Sequence, residues 1–358
     1  MKKNIAILGL GLIGGSVAKA LKSSKEEFFV SAFDKTDVLD KAFERKVIDK
    51  KLKNIEDAVD SDIIFLCLPS ELSLEVLENL APSLNDNSLV TDVCGVKGVF
   101  YSKWKNLKSK GTYIGGHPMT GKEKSGFENS DPLLFENSVY ILSDKPETSK
   151  SDELIKIIEL LGARIKFLDP YVHDKIIANV SHLPQLLAVA LVNSVSAQSS
   201  NPSYLDFAAG GFRDMTRIAN NNFDIWEPVF QFNKDEISSA LENLETNLKQ
   251  IQLIMQDEKY EELKKLFNSA SESRDQVPKN TKGFLKPLHD IFVFVKDEPG
   301  VLSRITTSLY NNSINIKDME LLKIREGTGG TFRLSFQSKN EVSKAVKIIQ
   351  DIGFKVNS

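Results

Sequence analysis

Residues 4–16 read NIAILGLGLIGGS. Ile5, Ala6, Ile7 and Leu8 form a short apolar run of the kind a buried parallel strand shows. Gly9, Gly11 and Gly14 follow at once, and Val17-Ala18-Lys19-Ala20-Leu21 continues at helical spacing. Strand, G-x-G-x-x-G-like turn and helix in that order make a dinucleotide fingerprint. The first glycine permits a tight turn, the second lets the backbone approach a pyrophosphate, and the third lets helix and strand pack closely. Leu12 and Ile13 open the helix, whose free N–H groups would face the anion.

The context supports the fingerprint. Phe28 to Phe33 reads as a second strand with Asp34 at its end, 20 positions after Gly14. A carboxylate there would meet the adenosine ribose hydroxyls. It favours NAD, since a 2′-phosphate would face a like charge; Lys35 beside it leaves NADP open. The same N-terminus, with Met1-Lys2-Lys3 ahead of an apolar run, imitates a signal peptide. Cleavage there would remove a strand whose turn and acidic partner are both in place.

At 358 residues the chain is long enough for two or three domains. A net charge of −3 argues against nucleic acid or an anionic membrane as the main partner. No apolar run is expected to reach membrane-spanning length. Cys67 and Cys94 show neither C-x-x-C nor metal spacing, which suits a reducing cytoplasm and no metal.

Residues 1–168 alternate strand and helix and are expected to form an open, doubly wound parallel sheet of the Rossmann type. Helix is expected over 54–60 and 73–80, strands over 62–68 and 88–93, and one strand over 112–116 that delivers His117. Leu68, Pro69, Ser70, Asp92 and Cys94 to Lys97 fall at strand ends, where a ligand crevice would lie. From 169 to 270 the strand signal vanishes. Helical spacing over 173–196, 222–257 and 259–269 predicts an all-α domain that closes the cleft and pairs with a second copy, giving a homodimer. Residues 271–287 read as a linker. The tail, 288–358, runs β-α-β-β-α and predicts a ferredoxin-like α+β module.

His117 lies in GGHPMTGKEKSG (115–126). A histidine on a glycine-flanked strand end can reach a substrate hydroxyl and accept its proton. In GGFRDMTR (210–217), Arg213 and Arg217 flank Asp214. Such charges usually form a solvated pair, but the surrounding aromatics and glycines suggest a pocket gripping a carboxylate. His182 sits in SHLPQ (181–185), where Pro184 should kink the helix. That makes it a binding-site candidate or a core histidine. Lys175-x-x-x-Asn179 resembles a pair in β-hydroxyacid dehydrogenases, but lacks the glycines ahead of the lysine and reads as an exposed face.

GLGLIGGS, TDVCGVK (91–97), GGHPMTGKEKSG, SHLPQLLA and GGFRDMTRIA together resemble the prephenate dehydrogenase family of tyrosine biosynthesis. The tail, with Asp297-Glu298-Pro299-Gly300-Val301-Leu302, is similar to an ACT domain. The resemblance implies that prephenate is oxidised at its ring hydroxyl with hydride transfer to NAD and loss of CO2. His117 would accept the hydroxyl proton and Arg217 would bind a carboxylate. Glu123 and Asp214 would gate the pocket mouth, with Arg213 and Trp226 close by. Two positions depart from the family pattern: Gly95 stands where a serine is frequent, and Gln185 where a second histidine is frequent. Gln185 could still donate to a carboxylate. The resemblance also implies feedback by L-tyrosine at Asp297, Pro299, Gly300, Val301 and Leu302.

Three rivals are weighed. Arogenate could replace prephenate as substrate. A nucleotide- and amino-acid-sensing protein without turnover would not need both His117 and Arg217. A phosphoglycerate-like 2-hydroxyacid dehydrogenase would flank its nucleotide unit with strands, whereas helices follow it here.

Overall fold

The computed structural model describes residues 2–122, 124–143, 149–197, 203–277, 288–325 and 329–357. The chain divides into two compact units, Met1–Asn268 and Ser269–Ser358.

The first unit opens with β1 (Lys3–Leu8), β2 (Phe28–Phe33), β3 (Lys50–Lys51), β4 (Ile63–Leu66), β5 (Leu89–Asp92) and β6 (Thr112–Tyr113). These form one parallel sheet in the order β3-β2-β1-β4-β5-β6. The chain winds outward from β1 to β3, then returns to β4 on the other side of β1. That reversal opens a crevice beyond the carboxyl ends of β1 and β4. Ile5, Ile7, Ile63 and Phe65 are fully buried on one face of the sheet, and Ala6, Leu8, Ile64 and Leu66 on the other. Burial on both faces is why these strands read as unbroken apolar runs.

Two expectations here are corrected. The helix expected over 54–60 is only a 3-10 turn, Ile55–Ala58, with Asn54 and Asp57 in a reciprocal cap. The strand expected over 112–116 is split. β6 stays in the parallel sheet, and Gly115-Gly116 lets the chain leave it for β7 (Gly116–Pro118). A Cβ on Gly116 would stand 2.5 Å from the Asp92 carbonyl oxygen, and one on Gly115 2.6 Å from Ser143 Oγ. β7 pairs antiparallel with β8 (Val139–Ser143), which pairs parallel with β9 (Arg164–Leu168). His117 therefore lies on a small mixed sheet rather than on the Rossmann sheet.

Helices follow. Pro170–Ile177 is α-helical, Ala178–His182 is a π turn and Leu183–Ser196 is α-helical again. The π turn stands where Pro184 was expected to kink the helix. Such bulges are frequent at functional sites. The whole run, Pro170–Ser196, is 27 residues long and apolar enough to pass a membrane-span test by length and composition, contrary to expectation. Its inner side carries buried His173, Asp174, His182 and Gln185, whereas Val172, Ile176, Val180, Leu187 and Val189 are exposed. The helix expected over 222–257 is broken at Asn233 into Phe223–Phe232 and Lys234–Gln256. Helix also runs on over Tyr260–Gln276, into the stretch read as linker; residues 278–287 lie outside the described residues.

In the second unit, β10 (His289–Val295), β11 (Asp318–Arg325), β12 (Gly329–Phe336) and β13 (Lys355–Asn357) form an antiparallel sheet ordered β11-β12-β10-β13. Helices Val301–Asn311 and Lys339–Asp351 supply Ile305, Leu309, Ala345 and Ile349 to its core. The short strand β13, unforeseen from the sequence, completes the β-α-β-β-α-β ferredoxin-like order.

Candidate active site

The nucleotide fingerprint folds as the glycine spacing requires. Gly9 has φ +98°, and a Cβ there would lie 2.5 Å from the Cys67 carbonyl oxygen at the end of β4. A Cβ on Gly14 would strike the Gly9 carbonyl oxygen at 1.9 Å, so the helix Leu12–Ser23 can pack on the turn only with glycine there. Around Gly11 a Cβ would meet nothing within 4 Å, and Gly11 caps the helix without a side chain. Open space at a helix N-terminus without a side-chain cap, where N–H groups lack intrahelical partners, suits a pyrophosphate. Asp34 closes the crevice from β2: its carboxylate accepts the Leu10 N–H at 2.5 Å and the Lys35 N–H at 2.6 Å. Leu12, Ile13, Leu68 and Ser70 border this region half-buried, and Pro69 is exposed ahead of the helix Ser70–Leu80.

Asp92 does not join them. It is fully buried, and its carboxylate accepts from the Tyr113 hydroxyl at 2.6 Å and the Cys94 N–H at 2.8 Å, and pairs with the Lys97 ammonium. The expectation that Asp92 touches a cofactor is corrected. This buried carboxylate organises the loop after β5, which carries Gly95.

His117 is half-buried and faces that loop. A Cβ on Gly95 would sit 3.9 Å from His117 Nε2 and 4.0 Å from Cε1 and, its chain neighbours aside, would meet no other described residue within 4 Å. On the other side of the ring, Nδ1 is 2.8 Å from His173 Nε2, the rings meeting edge to face. His173 Nδ1 in turn lies 2.8 Å from Asp174 Oδ1. Asp174 accepts the backbone N–H groups of Lys97 and Gly98, each at 2.7 Å. Burial holds the His117 pKa well below 6.5, and the nearby His173, Lys97 and His182 push the same way. The imidazole is therefore neutral at neutral pH and able to accept a proton.

His182 lies deeper. Burial lowers its pKa to about 4, against an opposing pull from Asp174. Its Nδ1 is 3.3 Å from Asn233 Nδ2, which also donates to the Asp174 carbonyl oxygen at 2.9 Å. Trp226 stands edge-on to the His182 ring at 5.9 Å. One helical turn beyond His182, Gln185 donates through Nε2 to the Ile218 carbonyl oxygen at 3.0 Å and accepts from Asn221 Nδ2 at 2.8 Å. Gln185 was expected to meet a substrate carboxylate. It is buried and instead pins the backbone beside Arg217.

A continuous set of contacts thus runs from His117 through His173, Asp174 and Asn233 to His182, and Gln185, one turn along the same helix, holds the segment bearing Arg217. Arg213, Asp214 and Arg217 are exposed on the helix Gly210–Thr216 and the turn Arg217–Asn220. Glu123 lies outside the described residues. An open depression of about 600 Å³ is lined by Lys122, Lys124 and residues 128–132. His173, Asp174 and Asn233 were not singled out from the sequence as site residues, and Lys97 only as part of a strand end. The adjacency of His173 and Asp174 is plain in the sequence, but their link to His117 and the buried, helix-breaking role of Asn233 need the tertiary structure to be seen.

Residues 17–167 match the family profile of the prephenate dehydrogenase nucleotide-binding domain, and 169–269 that of its dimerization domain. The chain belongs to the prephenate dehydrogenase family. Residues 289–354 match the ACT domain. Prephenate dehydrogenase of Bacillus subtilis is 34% identical over 98% of this chain and 96% of its own length. That of Lactococcus lactis is 36% identical over 97% and 98%. Among solved structures, prephenate dehydrogenase of A. aeolicus in complex with hydroxyphenyl propionate and NAD+ superposes with a TM-score of 0.71 at 31% identity. It covers 77% of this chain and 99% of its own. The second unit of this family member holds a cavity of about 330 Å³ within the ACT module. Asp297, Gly300, Val301 and Leu302 line it together with Leu321 and Phe332, whereas Pro299 is not in its lining.

Proposed function

We infer that the protein oxidises prephenate, with loss of CO2, to 4-hydroxyphenylpyruvate, using NAD. The observation that carries this reading is His117: a neutral imidazole whose Nε2 looks past Gly95, at the carboxyl-end crevice beside a dinucleotide turn. The A. aeolicus relative, described with an aromatic acid and NAD+ bound together, supports a shared cleft of this kind.

When bound, the nicotinamide supplies the hydride acceptor. His117 Nε2 accepts a hydrogen bond from the ring hydroxyl and takes up its proton as positive charge builds on the adjoining carbon. The proton returns to that oxygen once the ring carboxylate has left as CO2 and the ring is aromatic. Arg217 binds a substrate carboxylate through its planar guanidinium, with Arg213, Asp214 and Glu123 at the pocket mouth. Asp34 selects NAD by its negative charge. The exposed apolar residues of the helix Pro170–Ser196 pair with a second copy to make a homodimer.

L-Tyrosine is assigned to the cavity in the ACT module. Gly300 has φ +84° and starts the helix Val301–Asn311, whose N–H groups suit the amino acid's carboxylate. Asp297 and Glu298 suit its ammonium group, and Leu321 and Phe332 its ring.

Spectrophotometric reduction of NAD or NADP with prephenate and with arogenate, each with and without tyrosine, tests the whole reading. His117→Asn is expected to lower kcat by about 10²–10⁴-fold, as loss of a general base does. Near-normal turnover in that variant would overturn the assignment. Asp297→Asn is expected to weaken tyrosine inhibition while leaving kcat alone.

A further inference from the structure

We propose that His173 and Asp174 form a relay that holds His117 as the Nδ1–H tautomer, leaving Nε2 bare, which makes His173 a positioning residue for the reaction. The kinetic consequence rests on the functional reading above; the tautomer itself does not.

The assignment follows from counting donors and acceptors. A carboxylate only accepts. Asp174 Oδ1 takes the Lys97 N–H and the His173 Nδ1–H, and Oδ2 takes the Gly98 N–H. His173 Nδ1 therefore carries hydrogen, and Nε2 of the neutral ring offers its lone pair. That lone pair faces His117 Nδ1 at 2.8 Å, a separation at which one nitrogen must donate and the other accept. His117 Nδ1 carries the hydrogen, so its Nε2, on the Gly95 side, is the free base.

The alternative arrangement has His173 doubly protonated and donating to His117. It would put the single hydrogen of His117 on Nε2 and disable it as a base. Two observations oppose it. His173 is fully buried, and a charged ring placed there gives up its contact with water. Asp174 also has two backbone N–H donors and needs no imidazolium to satisfy it.

The relay crosses between the two parts of the first unit. His117 sits on β7, and His173 and Asp174 on the first helix of the all-α part. Asp174 thus performs two tasks with one carboxylate. It fastens the loop after β5 to that helix, and it orients His173. When Nε2 takes a proton, the Nδ1–H of His117 is already bonded to His173, so the new imidazolium has a waiting acceptor.

Nitrogen-15 spectra of protein labelled at its four histidines report each ring's tautomer without substrate. Wild type is expected to show His117 with Nδ1 protonated and Nε2 bare. His173→Gln keeps an acceptor for His117 and a donor for Asp174, and should retain that tautomer and most of kcat. His173→Leu removes both and should lose the tautomer preference. Its kcat should fall by about 10²–10⁴-fold, the worth of general-base catalysis, with KM for prephenate and for NAD little changed. Wild-type or Gln-variant protein with His117 protonated at Nε2 would overturn the proposal, and so would a folded Leu variant with unchanged tautomer and kcat. Should the spectra come out as expected while prephenate is not turned over, the relay stands and the functional reading falls.

Discussion

Gly98 donates its backbone N–H to Asp174 Oδ2 at 2.7 Å, joining the loop that leaves β5 to the first helix of the all-α part. Asp174→Ala would strip an acceptor from Gly98, Lys97 and His173 together. Buried donors left without partners cost about 1–3 kcal/mol each, so a loss of at least about 3 kcal/mol is expected. Urea denaturation followed by tryptophan fluorescence measures it, since Trp104 and Trp226 both lie in this unit. Wild-type stability would mean that water replaces the carboxylate. Gly98→Ala should act in the same direction, because its Cβ would lie 2.8 Å from Asp174 Oδ2.

The pH profile of kcat/KM should keep its plateau below the ordinary histidine range. His117 must be unprotonated to accept a proton, and burial lowers its pKa well below 6.5. The active form therefore persists as pH falls through 6.5, and the acid limb appears only lower. An acid limb centred at or above 6.5 would show that His117 is not held neutral as described.

His182 links pH to stability rather than to rate. Its folded pKa, about 4, lies below the ordinary 6.5, so the unfolded chain binds more protons between these values. The stability it contributes is fully present above pH 6.5 and is lost as pH falls toward 4, amounting to about 3 kcal/mol. His182→Gln should flatten that part of the stability–pH curve. Identical curves for both proteins would remove His182 from the account.

Gly95 leaves room for a hydroxyl. A serine Cβ would lie 3.9 Å from His117 Nε2 with no closer described neighbour, so Oγ can reach both the imidazole and a substrate hydroxyl. Gly95→Ser should fold normally and lower KM for prephenate by about 2–10-fold, the worth of one neutral hydrogen bond. A raised KM would mean that the hydroxyl competes with substrate for Nε2.

The nucleotide turn was legible in the sequence because its constraints are local. Gly9 needs a positive φ, Gly14 needs contact with a residue five positions back, and Asp34 ends a strand paired with β1. The alternation of strands and helices, the switch to helices near residue 169 and the small α+β tail were legible from periodicity. What escaped were breaks in periodicity with long-range causes. Gly115-Gly116 looked like the end of one strand, and only the approach of Ser143 and the Asp92 carbonyl shows that the chain changes sheets there. Asn233 looked like one more polar position in a long helix, and its break is explained by a side chain spent on Asp174, 59 residues away.

The candidate site divides along the same line. Chain pattern alone pointed to the dinucleotide turn and to His117 near a strand end, since spacing and turn chemistry involve neighbours in sequence. Tertiary packing decided the partners of the polar groups: His173 and Asp174 behind that histidine, Asp92 held by Tyr113, and Gln185 spent on the Ile218 backbone. Each of these is a polar group removed from water, and a buried polar group takes whichever partner the fold brings within 3 Å, a choice that composition and periodicity do not record.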